Sequence, residues 1–142
     1  MRNAGIYCTF SGFSIVAVEK ITSKGKWNVR YFKDYSAMSY MKIKEEMQEV
    51  ARLLRETPEW FSNAPLDFNR SIKVIELDIQ KEILKLISLV NDGQISFDEK
   101  CQAIKAQIAA YDPQVENRQV GCLMLALHKD PRDFSWMLAS NH

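Results

Sequence analysis

The sequence predicts a single mixed domain, of α+β or α/β class, in which a three-stranded antiparallel meander precedes about four helices. The first 35 residues contain three β-type runs separated by turn signals, and after Ser36 charged segments with helical spacing take over. No repeat or long linker divides the 142 residues. We therefore expect one domain over 1–142, with the meander at 4–35, a helical part at 40–128 and a C-terminal tail at 129–142.

Three consecutive segments predict the meander. Residues 4–10 (AGIYCTF) form a short apolar strand, and Ser11-Gly12 after them is a turn signal. Residues 13–21 (FSIVAVEKI) are apolar at both odd and even positions, which is typical of a strand covered on both faces. Residues 27–35 (WNVRYFKDY) alternate, as a half-buried or edge strand does. Residues 13–21 are therefore expected in the middle of the sheet.

Apolar residues at helical spacing predict the rest of the chain. The four predicted helices span 40–56, 78–91, 98–110 and 117–128. Pro58 ends the first helix and Asp92-Gly93 the second. Between these helices, residues 59–70 are rich in Asn and Asp, and we expect a connection there. The tail carries Trp136 and is expected to pack on the body of the domain.

Residues 72–77 (IKVIEL) leave two alternatives open. Read as a strand, they place Ile72, Val74 and Glu76 on one face, and the next helix begins at Asp78, which is a good N-cap residue. Read as a helix, they extend the apolar stripe of that next helix by almost two turns. The pattern alone favours neither alternative.

Composition removes most kinds of catalytic and cofactor site. The net charge is +1, and three well-separated cysteines without a CxxC pair argue against a disulfide framework or a zinc site. The five glycines form no phosphate-binding loop. Of the two histidines, His128 lies at a predicted helix C-terminus, where the helix dipole explains it. We expect no cofactor, no signal peptide, no membrane span and a cytoplasmic protein.

With 72–77 as a strand, the order of elements resembles that of the ribonuclease H-like superfamily, which includes Holliday-junction resolvases and the nuclease domains of phage terminases. "AGIY" followed by "FSIVAVE" resembles the first two strands of that fold. "IKVIEL" resembles its fourth strand, "QISF" a short fifth strand, and "KAQIAAYD" through "GCLMLAL" its last helix.

The resemblance implies a nuclease site whose acids are mostly replaced. Such nucleases hold two divalent metal ions about 4 Å apart with three or four carboxylates. Tyr7 stands where the first strand carries an acid, and the acids of the last helix are replaced near 119–121. Glu76 alone falls in a matching position. If the chain is a nuclease, its catalytic candidates are Glu76, Glu19, Asp112 and Glu116.

Two kinds of surface remain as candidates for binding. Residues 1–35 carry a net charge of +4 and the remainder −3, so a nucleic acid would first meet the basic residues of the sheet. These are Lys24, Lys26, Arg30 and Lys33. Aromatic residues in connections tend to mark contacts with a protein partner. These are Trp60, Phe61 and Trp136.

Three functional hypotheses follow, in order of preference. The first is a small, soluble, non-catalytic protein that binds a macromolecular partner, in first place another protein. The alternative is a metal-dependent nuclease of ribonuclease H-like fold. The third is a nucleic-acid-binding module that uses the basic N-terminal sheet.

Overall fold

The computed structural model describes residues 1–21, 25–69 and 71–127 as a six-stranded sheet with helices on both faces. The strands lie in the order β5-β4-β1-β2-β3-β6. The strands are β1 (Arg2–Thr9), β2 (Gly12–Ile21), β3 (Lys26–Tyr35), β4 (Glu59–Ser62), β5 (Lys73–Val74) and β6 (Ile95–Phe97). The helices are α1 (Tyr40–Leu54), α2 (Ile79–Asn91), α3 (Gln102–Ala109) and α4 (Arg118–Leu127). A 3-10 turn, Glu99–Cys101, precedes α3.

The predicted meander is confirmed, with β2 between β1 and β3 in antiparallel register. The side chains of β2 divide between two cores. Val16 and Val18 pack into the core formed with α2, α3 and α4, whereas Phe13, Ile15 and Ala17 pack into the core formed with α1. All five are fully buried. The two-sided apolar pattern of β2 therefore reflects helices on both faces of the sheet.

Residues 59–62, predicted as part of a connection, form strand β4, so that prediction was wrong. β4 lies parallel to β1 and pairs with it from Asn3↔Glu59 to Ile6↔Ser62. The strand has only four residues, and its pairing partner lies more than 50 positions away in the sequence. Non-local pairing of this kind overrides the loop signal from nearby prolines.

Residues 72–77 contain a strand, β5, but only at Lys73–Val74. β5 pairs in parallel with β4 at the edge of the sheet. Helix α2 then begins at Ile79, and the Asp78 side chain caps it by accepting from the Lys81 backbone N–H. The strand alternative therefore holds, and the predicted N-cap is confirmed. The assignment of 72–77 to the fourth strand was wrong, because β4 precedes it.

Four helices are present close to the predicted spans, and the short strand predicted at "QISF" is confirmed as β6, although it is the sixth strand and not the fifth. β6 pairs with the start of β3, at the edge opposite β5. On the face of the sheet opposite α2, α3 and α4, the buried Glu46 carboxylate of α1 accepts hydrogen bonds from the Tyr31 and Tyr35 hydroxyls of β3.

Among the described residues, no helix has the length and apolar character needed to cross a membrane. Residues 128–142 lie outside the described residues.

Candidate functional site at the carboxyl end of the central strands

An open cleft of about 690 Å³ lies where β1 ends and α4 begins. Parallel strands β1 and β4 end on the same side of the sheet, and the segments before α2 and α4 complete the walls. Its lining includes Tyr7, Thr9, Glu76, Asp78, Tyr111 and Glu116. In open α/β sheets this end of the strands is the usual place for a ligand.

Tyr7 fills the centre of this region, because α4 crosses β1 at very short range. A Cβ built at Gly5 would lie 2.2 Å from the Cys122 carbonyl oxygen, and one built at Gly121 would lie 2.5 Å from Cδ2 of Tyr7. Only glycine fits at either position. The Tyr7 ring occupies the space that a side chain at Gly121 would need. Burial and, second, the nearby Glu116 charge raise the pKa of Tyr7, so the phenol is neutral.

Arg118, the first residue of α4, lies at the centre of a cluster of ion pairs beside Tyr7. Its guanidinium binds Asp34 of β3 through two nitrogens, Nε to Oδ1 at 2.7 Å and Nη2 to Oδ2 at 3.2 Å. Its third nitrogen donates to Glu116 and, at 3.1 Å, to the Ser11 hydroxyl. The side chain is only 11% exposed. Arg118 thereby joins the turn between β1 and β2, strand β3 and helix α4.

The carboxylates of this cluster are held in their ionised form. Burial opposes ionisation of Asp34, but hydrogen bonds from Arg118 and Ser14 outweigh it and lower its pKa. The hydrogen bond from Ser11 is the main cause of the lowered pKa of Glu116, and it outweighs the opposing effect of burial. The cluster is therefore satisfied internally, with each carboxylate facing a donor.

Asn63 directly follows β4 and bonds to the neighbouring strand with both ends of its amide. Its Oδ1 accepts from the Cys8 backbone N–H at 2.7 Å, and its Nδ2 donates to the Cys8 carbonyl at 2.9 Å. A carboxylate has no proton to donate to that carbonyl. The end of β4 therefore carries a residue that extends the pairing with β1 and not an acid.

Two of the four predicted acids meet in the cleft. Glu76 and Glu116 both line it. Glu19 lies at the other end of β1 and β2, where it pairs with Arg2 and Arg30. Asp112 belongs to the turn before α4, where its side chain accepts from the Gln114 N–H. The four acids therefore do not form one cluster.

The predicted binding residues lie elsewhere. Trp60 and Phe61 of β4 are buried, so the loop interpretation behind their role as anchors was wrong. Lys26, Arg30 and Lys33 lie on β3. Arg30 is engaged in ion pairs with Glu19 and Asp98. Lys24 and Trp136 lie outside the described residues, as does His128.

Sequence reasoning missed three residues of this region, Arg118, Asn63 and Phe10. Phe10 lies at the tip of the first hairpin and is fully exposed. A large aromatic residue directly before a Ser-Gly turn was the available signal. Arg118 and Asn63 offered no comparable signal, since their partners are distant in the sequence.

The residues present do not fit a two-metal site. In the described ranges, no group of three or more His, Cys, Asp or Glu side chains is placed to hold a metal ion. At the end of the sheet beside the cleft, Tyr7 of β1, Asn63 after β4, and Gly121 and Arg118 of α4 supply a phenol, an amide, a glycine and an arginine. A guanidinium next to the remaining acid repels a divalent cation.

Comparison with solved structures found similar folds at low sequence identity. The P22 large terminase nuclease domain matches with a TM-score of 0.60 and 8% identity, covering 98% of this chain and 81% of that one. Thermus thermophilus RuvC matches with a TM-score of 0.46 and 12% identity, covering 96% of each chain. RuvC in complex with a Holliday junction substrate gives 0.45, with the same identity and coverage.

Comparisons of the sequence itself gave no relative. No protein-family model matches the chain, and no curated protein matches it. The likeness to the terminase nuclease domain shows the fold, and the resemblance predicted from the sequence is confirmed at that level.

Proposed function

Because the chain has a ribonuclease H-like fold, we propose that it is a non-catalytic domain of that fold which acts by binding a macromolecular partner, in first place another protein. The observation that carries the proposal is the packing of Tyr7 against Gly121 beside the Arg118 ion pairs. A cytoplasmic location remains a prediction from the sequence.

The argument is one of space and charge. Two-metal hydrolysis needs several carboxylates to bind the ions and position the attacking water. Here the Tyr7 ring fills the position on β1, and Asn63 uses both ends of its amide for pairing. Glu116 is neutralised by Arg118. Glu76 and Asp78 are the exposed acids of the cleft without an ion partner among the described residues, and Asp78 already accepts from the Lys81 N–H as the cap of α2, so Glu76 is left as a single carboxylate, which binds Mg²⁺ weakly.

A nuclease assay tests the proposal. We expect no cleavage of single-stranded, duplex or branched DNA by the purified chain with Mg²⁺ or Mn²⁺, and no shift of its melting temperature on adding either ion. Cleavage that disappears in Glu76→Gln but persists in the control Glu99→Gln would contradict it. Glu99 is a suitable control because it is exposed and lies outside the cleft.

A metal-dependent nuclease is the second candidate, because Glu76 and Glu116 line the same cleft. It predicts that Arg118→Ala, which frees Glu116, increases metal binding. A nucleic-acid-binding role for Lys24, Lys26, Arg30 and Lys33 is the third. It predicts binding that weakens steeply with salt, with each lost contact reducing the slope by about one unit.

A further inference from the structure

The outer edge of β3 is only partly covered within the described part of the chain. β6 pairs with Trp27, Asn28 and Val29, and the last backbone hydrogen bond to this edge runs from the N–H of Asp98, directly after β6, to the Val29 carbonyl. Among the described residues, no strand pairs with this edge from Arg30 to Tyr35. An open edge presents unpaired N–H and C=O groups and is a template for a further strand.

The backbone groups of this edge point outward in register. The Lys20 N–H donates to the Met1 carbonyl, so the backbone N–H and C=O groups of Lys20 in β2 point toward β1 and away from β3. Along a strand these groups point to alternate sides, so those of Val16, four residues earlier, also point toward β1. Phe32 is opposite Val16 and directs its own N–H and C=O away from β2. Asp34, two residues further, does the same.

A groove of about 790 Å³ runs along this edge. The last turns of α1 form one wall and residues 98–101 form the other. Between them lie Tyr31, Phe32 and Lys33 of β3, together with Leu53, which is 42% exposed. The groove begins where β6 ends, so a segment bound there continues the sheet in line with β6.

The charge of the groove indicates the partner. Arg30 and Arg52 already have acidic partners, Asp98 and Glu49. Three further cations of the groove have no ion pair among the described residues, and one acid, Glu99, is equally without one. The three cations are Lys33, Arg55 and Lys100. Free positive charge is therefore in excess.

We propose that this groove docks an extended acidic segment of a partner protein, which adds to β3 as a strand. The proposal rests on the proposed binding function and names its surface. Strand addition uses main-chain hydrogen bonds for affinity and side-chain contacts for specificity. A nucleic acid would satisfy the cations but not the alternating N–H and C=O groups of Phe32 and Asp34, which is why a peptide fits better.

Fluorescence anisotropy with a labelled octapeptide that alternates Glu and Val tests the proposal on the full chain. We expect saturable binding. Methylating the backbone nitrogen of every second residue keeps the charge of the peptide but removes the N–H groups on one edge of its strand. Two such peptides are tested, one methylated at the odd positions and one at the even positions, because either edge could pair with β3. At least one of the two methylated peptides should bind at least tenfold more weakly than the unmodified Glu-Val octapeptide. An octapeptide that alternates Lys and Val should not bind.

The matching protein variant is Lys33→Glu/Arg55→Glu, which we expect to weaken binding at least tenfold. The control Lys81→Glu/Lys105→Glu makes the same charge change at exposed positions outside the groove and should bind like the wild type. Circular dichroism of each variant verifies that it is folded. Equal weakening by both double variants would overturn the proposal, because it would show attraction by net charge alone.

Two other results would also overturn it. One is the absence of binding by the Glu-Val octapeptide. The other is binding that is insensitive to N-methylation and matched by single-stranded DNA, which would make the groove a polyanion surface. The nuclease assay is decided separately. If the chain binds the octapeptide and also cleaves DNA, the docking proposal stands and the proposed non-catalytic function is wrong. If it neither binds the octapeptide nor cleaves DNA, only the docking proposal is wrong.

Discussion

The cleft at the end of β1 and the groove along β3 differ in what their polar groups bind. In the cleft, Asp34, Glu116 and Arg118 bind one another, and the Asn63 amide bonds to the neighbouring strand. In the groove, Lys33, Arg55 and Lys100 have no ion pair, and no strand pairs with the outer edge of β3 beyond Val29, among the described residues. The polar groups beside the cleft are therefore satisfied within the chain, whereas those of the groove are available to a second molecule.

At the end of β1, Arg118 supplies the positive charge that Asp34 and Glu116 face, so this cluster of ion pairs stabilises the fold. The proposed binding surface along β3 lies apart from that cluster. Substitutions should therefore cost stability in the cleft and affinity in the groove.

Arg118→Met has the largest expected effect. Removing the cation leaves Asp34 and Glu116 without it, and because these carboxylates are 29% and 39% exposed we expect a loss of about 2 kcal/mol, below that of a fully buried ion pair. Chemical denaturation at pH 7 measures this loss. The matched control is Arg55→Met in the groove, which should change the free energy of unfolding by less than about 0.5 kcal/mol. Equal losses in both variants would remove the distinction between the two regions.

The loss in Arg118→Met should depend on pH in a defined direction. The pKa values of Asp34 and Glu116 are lowered in the folded protein. Their ion pairs therefore stabilise the fold above the ordinary carboxyl pKa of about 4 and lose that effect as the pH falls through the lowered values. The difference between wild type and variant should shrink from pH 7 to about pH 3.

Gly121→Ala tests the fit of Tyr7 against α4. An alanine gains about 1 kcal/mol of helix propensity, but overpacking costs about 1–3 kcal/mol, so we expect a net loss of up to about 2 kcal/mol. Tyr7→Leu in the same chain should relieve part of it, with a coupling energy of about 1 kcal/mol. Strict additivity in thermal or chemical unfolding would show that the ring does not occupy this space.

Asn63→Asp should cost about 1–2 kcal/mol at pH 7, because the carboxylate cannot donate to the Cys8 carbonyl. The pH dependence is opposite to that of the Arg118 cluster. A carboxyl beside a carbonyl oxygen has a raised folded pKa, so its protonated form stabilises the fold at low pH and this effect is lost as the pH rises. Denaturation at pH 4 and 7 measures the difference. Gln48→Glu, which makes the same amide-to-carboxylate change at an exposed position in the middle of α1, is the control.

Local signals predicted the meander and singled out Tyr7, Glu76 and Glu116 of the cleft, but they did not identify the residues that join the strands at this end of the sheet. The two-sided apolar pattern of residues 13–21 is complete within nine positions, so the central strand could be identified from the sequence. Asn63 bonds to Cys8, 55 positions away, and Arg118 bonds to Asp34, 84 positions away. Strand β4 depends in the same way on β1. Such pairs follow from topology, and no window of sequence contains them.

Arg55→Gly has the smallest expected effect on stability and the opposite sign. Arg55 caps α1 with φ 58, a left-handed conformation that glycine adopts freely and other residues adopt at a cost. We expect glycine to raise the free energy of unfolding by about 0.5–1 kcal/mol, while Arg55→Ala leaves it nearly unchanged because alanine keeps the strain.

Both variants remove a cation from the groove, so both should weaken binding of the Glu-Val octapeptide to the same extent. A side chain that costs stability where it stands, yet is needed for binding, is what a functional position predicts. If Arg55→Gly lowers stability, or if either variant binds the octapeptide like the wild type, Arg55 supports the helix end and has no part in the groove.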